Sequence, residues 1–225
     1  VVVPPATYWE KIQAVLAKYD ILLIADEVIC GFGRTGNMFG STTFDIKPDI
    51  LTMSKQITSS YFPFSAFMIN DRVYQPIADE SGRIGVLGHG YTGGGHPVGA
   101  AVALENIKII EERDLVANAA ERGAELQAGL TDLTSHPLVG EARGIGLIGA
   151  LELIAPEGKS GDFAPGKLGA QMNAIMLRNG LISRNMTDAM AFCPPLIVGA
   201  NDVREIIQIT KKSLEELAAD INGAA

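Results

Sequence analysis

The chain has 225 residues, 47% of them hydrophobic and 20% charged, with 18 Lys and Arg against 26 Asp and Glu for a formal net charge of −8. These are the proportions of a folded globular protein, large enough for one big domain or two smaller ones, and they exclude an intrinsically disordered chain. They also exclude a nucleic-acid footprint, which needs clustered Lys and Arg, a disulfide framework, since there are two cysteines and no CxxC pair, and a membrane-spanning helix, since no stretch approaches about 20 apolar residues.

The opening Val1-Val2-Val3-Pro4-Pro5 lacks a basic n-region and is not a signal peptide; its three β-branched valines resemble the tail of a buried strand. With Cys30 and Cys193 as small buried hydrophobes, the expected compartment is a reducing cytoplasm. Thr7 and Glu10 fit a capping box, and Ile12, Val15, Leu16 and Tyr19 continue at helical spacing, so a helix is expected near 7–19. The apolar run Ile21-Leu22-Leu23-Ile24-Ala25 reads as a buried strand ending at Asp26. A glycine-rich loop over 31–40 and strands over 49–53 and 64–69 follow, giving the β-α-β alternation of a mostly parallel α/β sheet with helices on both faces. Residues 79–96 read as one long glycine-rich loop.

Pro97 suits a first helical turn, and Val98, Ala101, Leu104, Ile107, Ile109 and Ile110 predict one long helix reaching about Arg113, whose Ala-rich face would pack closely. Beyond it the character changes to a smaller α+β arrangement. A helix is expected over 115–133, strands over 138–142 and 147–153, a surface loop over 155–166 and a helix near 165–179. Strands at 181–183 and 190–193 precede a last helix capped by Asn201-Asp202, with Val203, Ile206, Ile207, Leu214 and Leu217 inward. The domain boundary is placed near residue 113, giving domains 1–113 and 114–225.

Asp26 and Lys55 each close an apolar, strand-like run. Ligands of open α/β sheets bind at strand ends, so a carboxylate and an amine so placed can flank one cofactor. The carboxylate would keep a ring nitrogen protonated and the amine would form a Schiff base. Spacing alone leaves the ordinary readings open, because capping Asp residues and solvated Lys residues are common at strand ends. In Tyr91-Thr92-Gly93-Gly94-Gly95 the Thr92 hydroxyl and glycine-rich backbone suit a phosphate, without the GK[ST] ending of a nucleotide loop. His89 and His96 read as loop-ordering or capping residues. No metal site is expected, because no Cys/His/carboxylate cluster accompanies them.

The sequence context narrows this. Leu22-Leu23-Ile24-Ala25-Asp26-Glu27-Val28 leading into Gly31-Phe32-Gly33-Arg34-Thr35-Gly36, then Lys47-Pro48-Asp49-Ile50, Ser54-Lys55-Gln56, His89-Gly90-Tyr91-Thr92 and His96-Pro97, Arg143-Gly144-Ile145-Gly146, and Cys193-Pro194-Pro195-Leu196 resemble the class III aminotransferases. These are the fold-type I pyridoxal phosphate enzymes, also called omega-transaminases, and the resemblance runs over nearly the whole chain. It implies a transaminase that moves an amino group from an amine or omega-amino donor to a keto acid such as pyruvate, in ping-pong half-reactions. It further implies pyridoxal 5′-phosphate bound covalently at Lys55, Asp26 on the ring nitrogen, Val28 against one ring face, and Tyr91-Thr92 at the phosphate. In the family the matching Thr reaches a partner subunit's cofactor, so a homodimer or higher oligomer with shared sites is implied.

Arg184 stands where pyruvate-dependent members carry an arginine that takes a keto acid's carboxylate, while Ala191 and Phe192 fill the region where ornithine-type members place a fixed Arg. Arg143 is assigned a structural role. Two departures stand out. Gln56 follows the lysine where Gly is usual, and the phosphate-binding and ring-stacking residues that the family carries before this point have no counterpart upstream of Asp26. The chain is therefore expected to be the C-terminal portion of a longer polypeptide, with the N-terminal half as its natural partner. The alternatives are an aminomutase or decarboxylase of the same fold, or a non-catalytic remnant acting as a structural subunit.

Overall fold

The computed structural model describes residues 1–156 and 163–223. Of the stretch 155–166 read as a surface loop, 157–162 lie outside the described residues. The chain divides into two compact units, Pro4–Val116 and Ala117–Ala225, the latter with Val1–Val3. Among the described residues no helix is long and apolar enough to cross a membrane.

In the first unit, α1 (Tyr8–Lys18) leads to β1 (Ile24–Asp26), the short α2 (Gly40–Thr43), β2 (Ile50–Met53), β3 (Ala66–Ile69), α3 (Asp71–Ile84) and α4 (Pro97–Glu112). The three strands form one sheet in the order β1-β2-β3. β1 and β2 are parallel, with Ile24, Ala25 and Asp26 opposite Ile50, Leu51 and Thr52. β3 joins antiparallel, Met53 facing Ala66. A parallel return needs a crossover of about a dozen residues or more, usually helical, and the link from β2 to β3 holds only a single 3-10 turn, Lys55–Ile57.

Three expectations change here. The run 21–25 is not a buried strand: β1 takes up only its last two residues, Ile21, Leu22 and Ile24 are 48%, 46% and 58% exposed, and only Ala25 is buried. Residues 79–84 belong to α3 rather than to the loop: Asn70 caps its start by accepting from Val73 N–H at 3.2 Å, and Gly85, at φ +77°, ends it in the left-handed conformation that glycine adopts freely. Thr7 occupies the N-cap position of α1 with a helical backbone, and its side chain makes no cap bond. α4 starts at Pro97 as expected and buries the small residues Gly99 and Ala103 together with Ile110.

Asp49, buried at the head of β2, ties this sheet together. Its carboxylate accepts from Leu23 N–H at 2.8 Å and from Asn70 Nδ2 at 2.9 Å, and Arg72 lies at 3.4 Å. The Leu23 backbone bond, followed by Asn70 and then Arg72, holds its pKa below the ordinary carboxylate value against the opposing pull of burial. A depressed folded-state pKa stabilises the fold above the unfolded pKa, and that stabilisation is lost as pH falls through the folded value. Asp49→Ala is accordingly expected to cost about 1–3 kcal/mol at pH 7. The gap between urea-unfolding curves of variant and parent should narrow below about pH 4, where carboxylates protonate.

The second unit holds α5 (Leu115–Asp132), whose start contains the division, then β4 (Val139–Ile145), β5 (Ile148–Leu153), α6 (Lys167–Arg178), β6 (Arg184–Met186), β7 (Ala189–Phe192) and α7 (Ala200–Gly223). Its sheet is antiparallel throughout, in the order β4-β5-β7-β6. Leu126, Leu130, Leu151, Met172, Met176, Met190, Leu214 and Leu217 are fully buried and form its core. The strand expected over 181–183 lies three residues later, and Arg184 is its first residue. α7 begins one residue before the expected cap; Asp202 sits in its first turn and accepts from Gly199 N–H at 2.8 Å. Of its expected inner residues, Val203, Leu214 and Leu217 are buried and Ile206 and Ile207 half-buried. Arg143 braces the β4–β5 hairpin, binding Glu152 at 2.7 Å and Glu141 at 3.0 Å, and reaches Val1 O.

Candidate active site

Parallel pairing of β1 and β2 brings their carboxyl ends to one edge of the sheet. Asp26 closes β1 opposite Thr52, and Lys55 follows β2 by two residues, so both leave the sheet at the same edge. β-strand alternation separates the Asp26-Glu27 pair. Asp26 is exposed at the edge, whereas Glu27 is 3% exposed and accepts from Gly40 N–H at 2.9 Å and Ser41 N–H at 2.6 Å. Glu27 is thus the structural member of the pair, anchoring α2 and the loop before it. The sequence reading did not single it out, although the period of two was a signal for it.

Asp26 Oδ1 accepts from Val28 N–H at 3.0 Å, which fixes the turn after β1 and half-buries Val28. Oδ2 has no hydrogen bond among the described residues. The Lys55 side chain is exposed, and its amine makes no hydrogen bond or ion pair among the described residues. Its backbone is unusual: Lys55 has φ +44°, and Ser59 and Ser60 follow at +48° and +63°. A non-glycine residue in this region costs roughly 1–3 kcal/mol and persists where its surroundings over-determine it. The surroundings here are the 3-10 turn, in which Lys55 O accepts from both Thr58 N–H and Ser60 N–H at 3.3 Å, and Thr58 Oγ1, which donates to Phe62 O at 2.7 Å.

A cleft of 490 Å³ opens beside this turn, lined by Ser54, Pro63, Phe64, Ser65, Gly93, Gly94, Gly95 and His96. It joins the residue before Lys55 to the glycine-rich loop that carries Tyr91 and Thr92. In that loop Tyr91 has φ +46°, its ring stacks on His89 at 3.8 Å, and its N–H donates to His89 Nδ1 at 2.9 Å. His89 therefore orders the loop. His96 sits at the N-cap position of α4 with its ring 5.3 Å from Phe62. Gly99, one turn into α4, has no room for a Cβ: one would meet Phe64 at 2.6 Å and Phe62 at 3.0 Å. Its absence lets the Phe62–Phe64 segment close against α4 and shape the cleft wall. Among the described residues no three His, Cys, Asp or Glu side chains group as metal ligands.

Arg184 lies in the second unit, exposed on β6 and paired in register with Ala191 of β7. The turn between these strands places Thr187 at φ +55°, and Asp188 pins it to the start of α6 by accepting from Gly166 N–H at 2.7 Å and Gly169 N–H at 2.8 Å.

A carboxylate and an amine at the carboxyl ends of neighbouring parallel strands, near a glycine-rich cleft, lie where open α/β sheets bind their ligands. The class-III aminotransferase family model matches residues 1–214, and the chain belongs to that family. It is 45% identical to a diaminobutyrate–2-oxoglutarate transaminase of Halomonas elongata, covering 96% of this chain and 47% of that protein. It is 43% identical to a putrescine–pyruvate aminotransferase of Pseudomonas aeruginosa, covering 98% and 48%. Among solved structures, a transaminase with L-Ala superposes with a TM-score of 0.94 at 61% identity, covering 98% of this chain and 52% of that one. The omega-transaminase of Pseudomonas jessenii in complex with PMP gives 0.92 at 53% identity, covering 100% and 50%. The fold is thus fold-type I, and the chain spans about half the length of the relatives it matches.

Proposed function

We propose that this chain carries the lysine-bearing part of a pyridoxal phosphate-dependent omega-transaminase that passes an amino group from an amine to a keto acid such as pyruvate. The observation that carries the reading is the shared strand edge of Asp26 and Lys55, with an uncommitted carboxylate oxygen on one and an uncommitted amine on the other. These residues fit the cofactor: Asp26 would hold its ring nitrogen, Lys55 its aldehyde carbon, Val28 one ring face, and the Tyr91-Thr92 loop a phosphate, that of a partner subunit in a homodimer. When bound, the cofactor supplies an electron sink for the pair left on the substrate carbon.

The chain's own residues do the rest. Once the incoming substrate amine has taken its place, the freed Lys55 amine would accept the proton that leaves the substrate carbon and hand it back, a task that requires its nitrogen within hydrogen-bond reach. Asp26 would face the ring nitrogen, and its position is set by the Val28 N–H bond. Arg184 receives the keto acid's carboxylate in its planar fork. The unit Pro4–Val116 is then part of the large cofactor domain and the remainder the small domain. The uncommitted Asp26 and Lys55 favour this over a structural remnant, and Arg184 with Ala191 favours it over an aminomutase or decarboxylase.

Borohydride reduction followed by peptide mass mapping tests the reading. A pyridoxyl-phosphate adduct on Lys55 is expected. An adduct on another lysine, or none after incubation with excess cofactor, would overturn it.

A further inference from the structure

We propose that Asn106 is a positioning residue for Lys55. Asn106 lies on α4, fifty residues along the chain, and its amide reaches across to the turn that carries the lysine. Nδ2 donates to Gln56 O at 2.7 Å and to Ile57 O at 3.2 Å, two successive carbonyls of the Lys55–Ile57 turn. Its Oδ1 accepts from Ser59 Oγ at 2.7 Å, and Ser59 Oγ accepts from Gln56 Nε2 at 2.8 Å. The result is a closed ring of side chains around a turn in which Lys55, Ser59 and Ser60 all hold positive φ.

The ring explains why this turn keeps its conformation. Left to itself, a chain with three left-handed non-glycine residues in six would relax toward ordinary φ values. Asn106 satisfies the carbonyls on which that relaxation would turn, and α4 supplies a rigid base for it. Gln56, which stands where Gly is usual in the family, adds the side-chain link to Ser59 that a glycine lacks. Asn106 touches neither the Lys55 amine nor any reacting atom, so it acts through the backbone of the turn: it fixes where the Lys55 stem starts.

The inference rests on Lys55 being the cofactor-bearing lysine, and its test keeps the two apart. In purified holoenzyme normalised to bound cofactor, Asn106→Ala should lower kcat of both half-reactions by roughly ten- to a hundredfold, the penalty of a displaced reacting group, with the KM values of amine and pyruvate unchanged. Asn106→Asp keeps the acceptor for Ser59 but loses both donors, and should behave like Asn106→Ala. Ser59→Ala removes the two bonds made by its hydroxyl but leaves Asn106 on the Gln56 and Ile57 carbonyls; it should fall in the same direction by less, and it carries the test if the Asn106 variants fold poorly. The pH midpoint of the bound cofactor's visible absorbance should move in each variant. Wild-type kcat per bound cofactor with an unmoved midpoint, even alongside a lowered Tm, would overturn the inference. Absence of a borohydride adduct on Lys55 in the parent protein would instead remove the reading on which it rests.

Discussion

Lys55→Ala should leave the protein folded and remove both the borohydride adduct and turnover. The argument has two parts. The amine is the group that anchors the cofactor and moves the proton, and a positioned general acid–base alone contributes about 10²–10⁴ in rate. The side chain itself is exposed and without a hydrogen bond among the described residues, so its truncation removes no packing. A surface substitution of this kind changes stability by about 0.5 kcal/mol or less, and Ala at φ +44° bears the same backbone strain as Lys. Urea-unfolding midpoints should therefore coincide with those of the cofactor-free parent while activity vanishes. Transamination at the parent's rate by the variant would remove Lys55 from the chemistry.

The elements of this fold differ in how openly the sequence announces them. Lys55 and Asp26 stand out in the sequence because each closes an apolar run, and the parallel pairing of β1 and β2 puts those two ends together. The β4–β5 hairpin and α7 were legible for a similar reason, since Gly144 to Gly149 and the spacing of Val203, Leu214 and Leu217 are local signals. The run 21–25 misled, because five apolar residues describe a strand covered on both faces, whereas β1 takes up only Ile24 and Ala25 of that run and only Ala25 is buried. The many glycines of 79–96 make its first residues look like loop, yet Gly82 is tolerated inside α3 and Gly85 ends it.

Asn106 had no signal at all. Its neighbours Glu105 and Ile107 mark it as one more residue of a helix, and its partners Gln56, Ile57 and Ser59 lie about fifty positions away. A hydrogen-bonding ring closed by tertiary contact has no period and no motif. Backbone strain is invisible in the same way: nothing in Ser-Lys-Gln-Ile-Thr-Ser-Ser states that three of its residues adopt left-handed φ. What the sequence does state is chemistry type, and what the fold adds is the set of residues that keep that chemistry in place.

Arg184→Ala should raise the KM for pyruvate by roughly ten- to a hundredfold and leave that for an apolar amine within about twofold. The size follows from the interaction: hydrogen bonds to charged groups contribute about 1.5–3 kcal/mol, and each 1.36 kcal/mol is about a factor of ten. The asymmetry follows from placement. Arg184 opens β6 with its side chain exposed, and its strand is held by pairing to β7 and by Asp188, whose carboxylate takes the Gly166 and Gly169 N–H groups. The backbone beneath the guanidinium is thus fixed while the long side chain is free to take up or release a carboxylate. An apolar amine offers no such group and gains nothing from the fork. Truncation should leave the fold intact, since the residue buries nothing, and the measurement is steady-state kinetics with each substrate varied in turn. Equal changes in the two KM values would show that Arg184 acts on the site in general and would end its assignment as the carboxylate receiver.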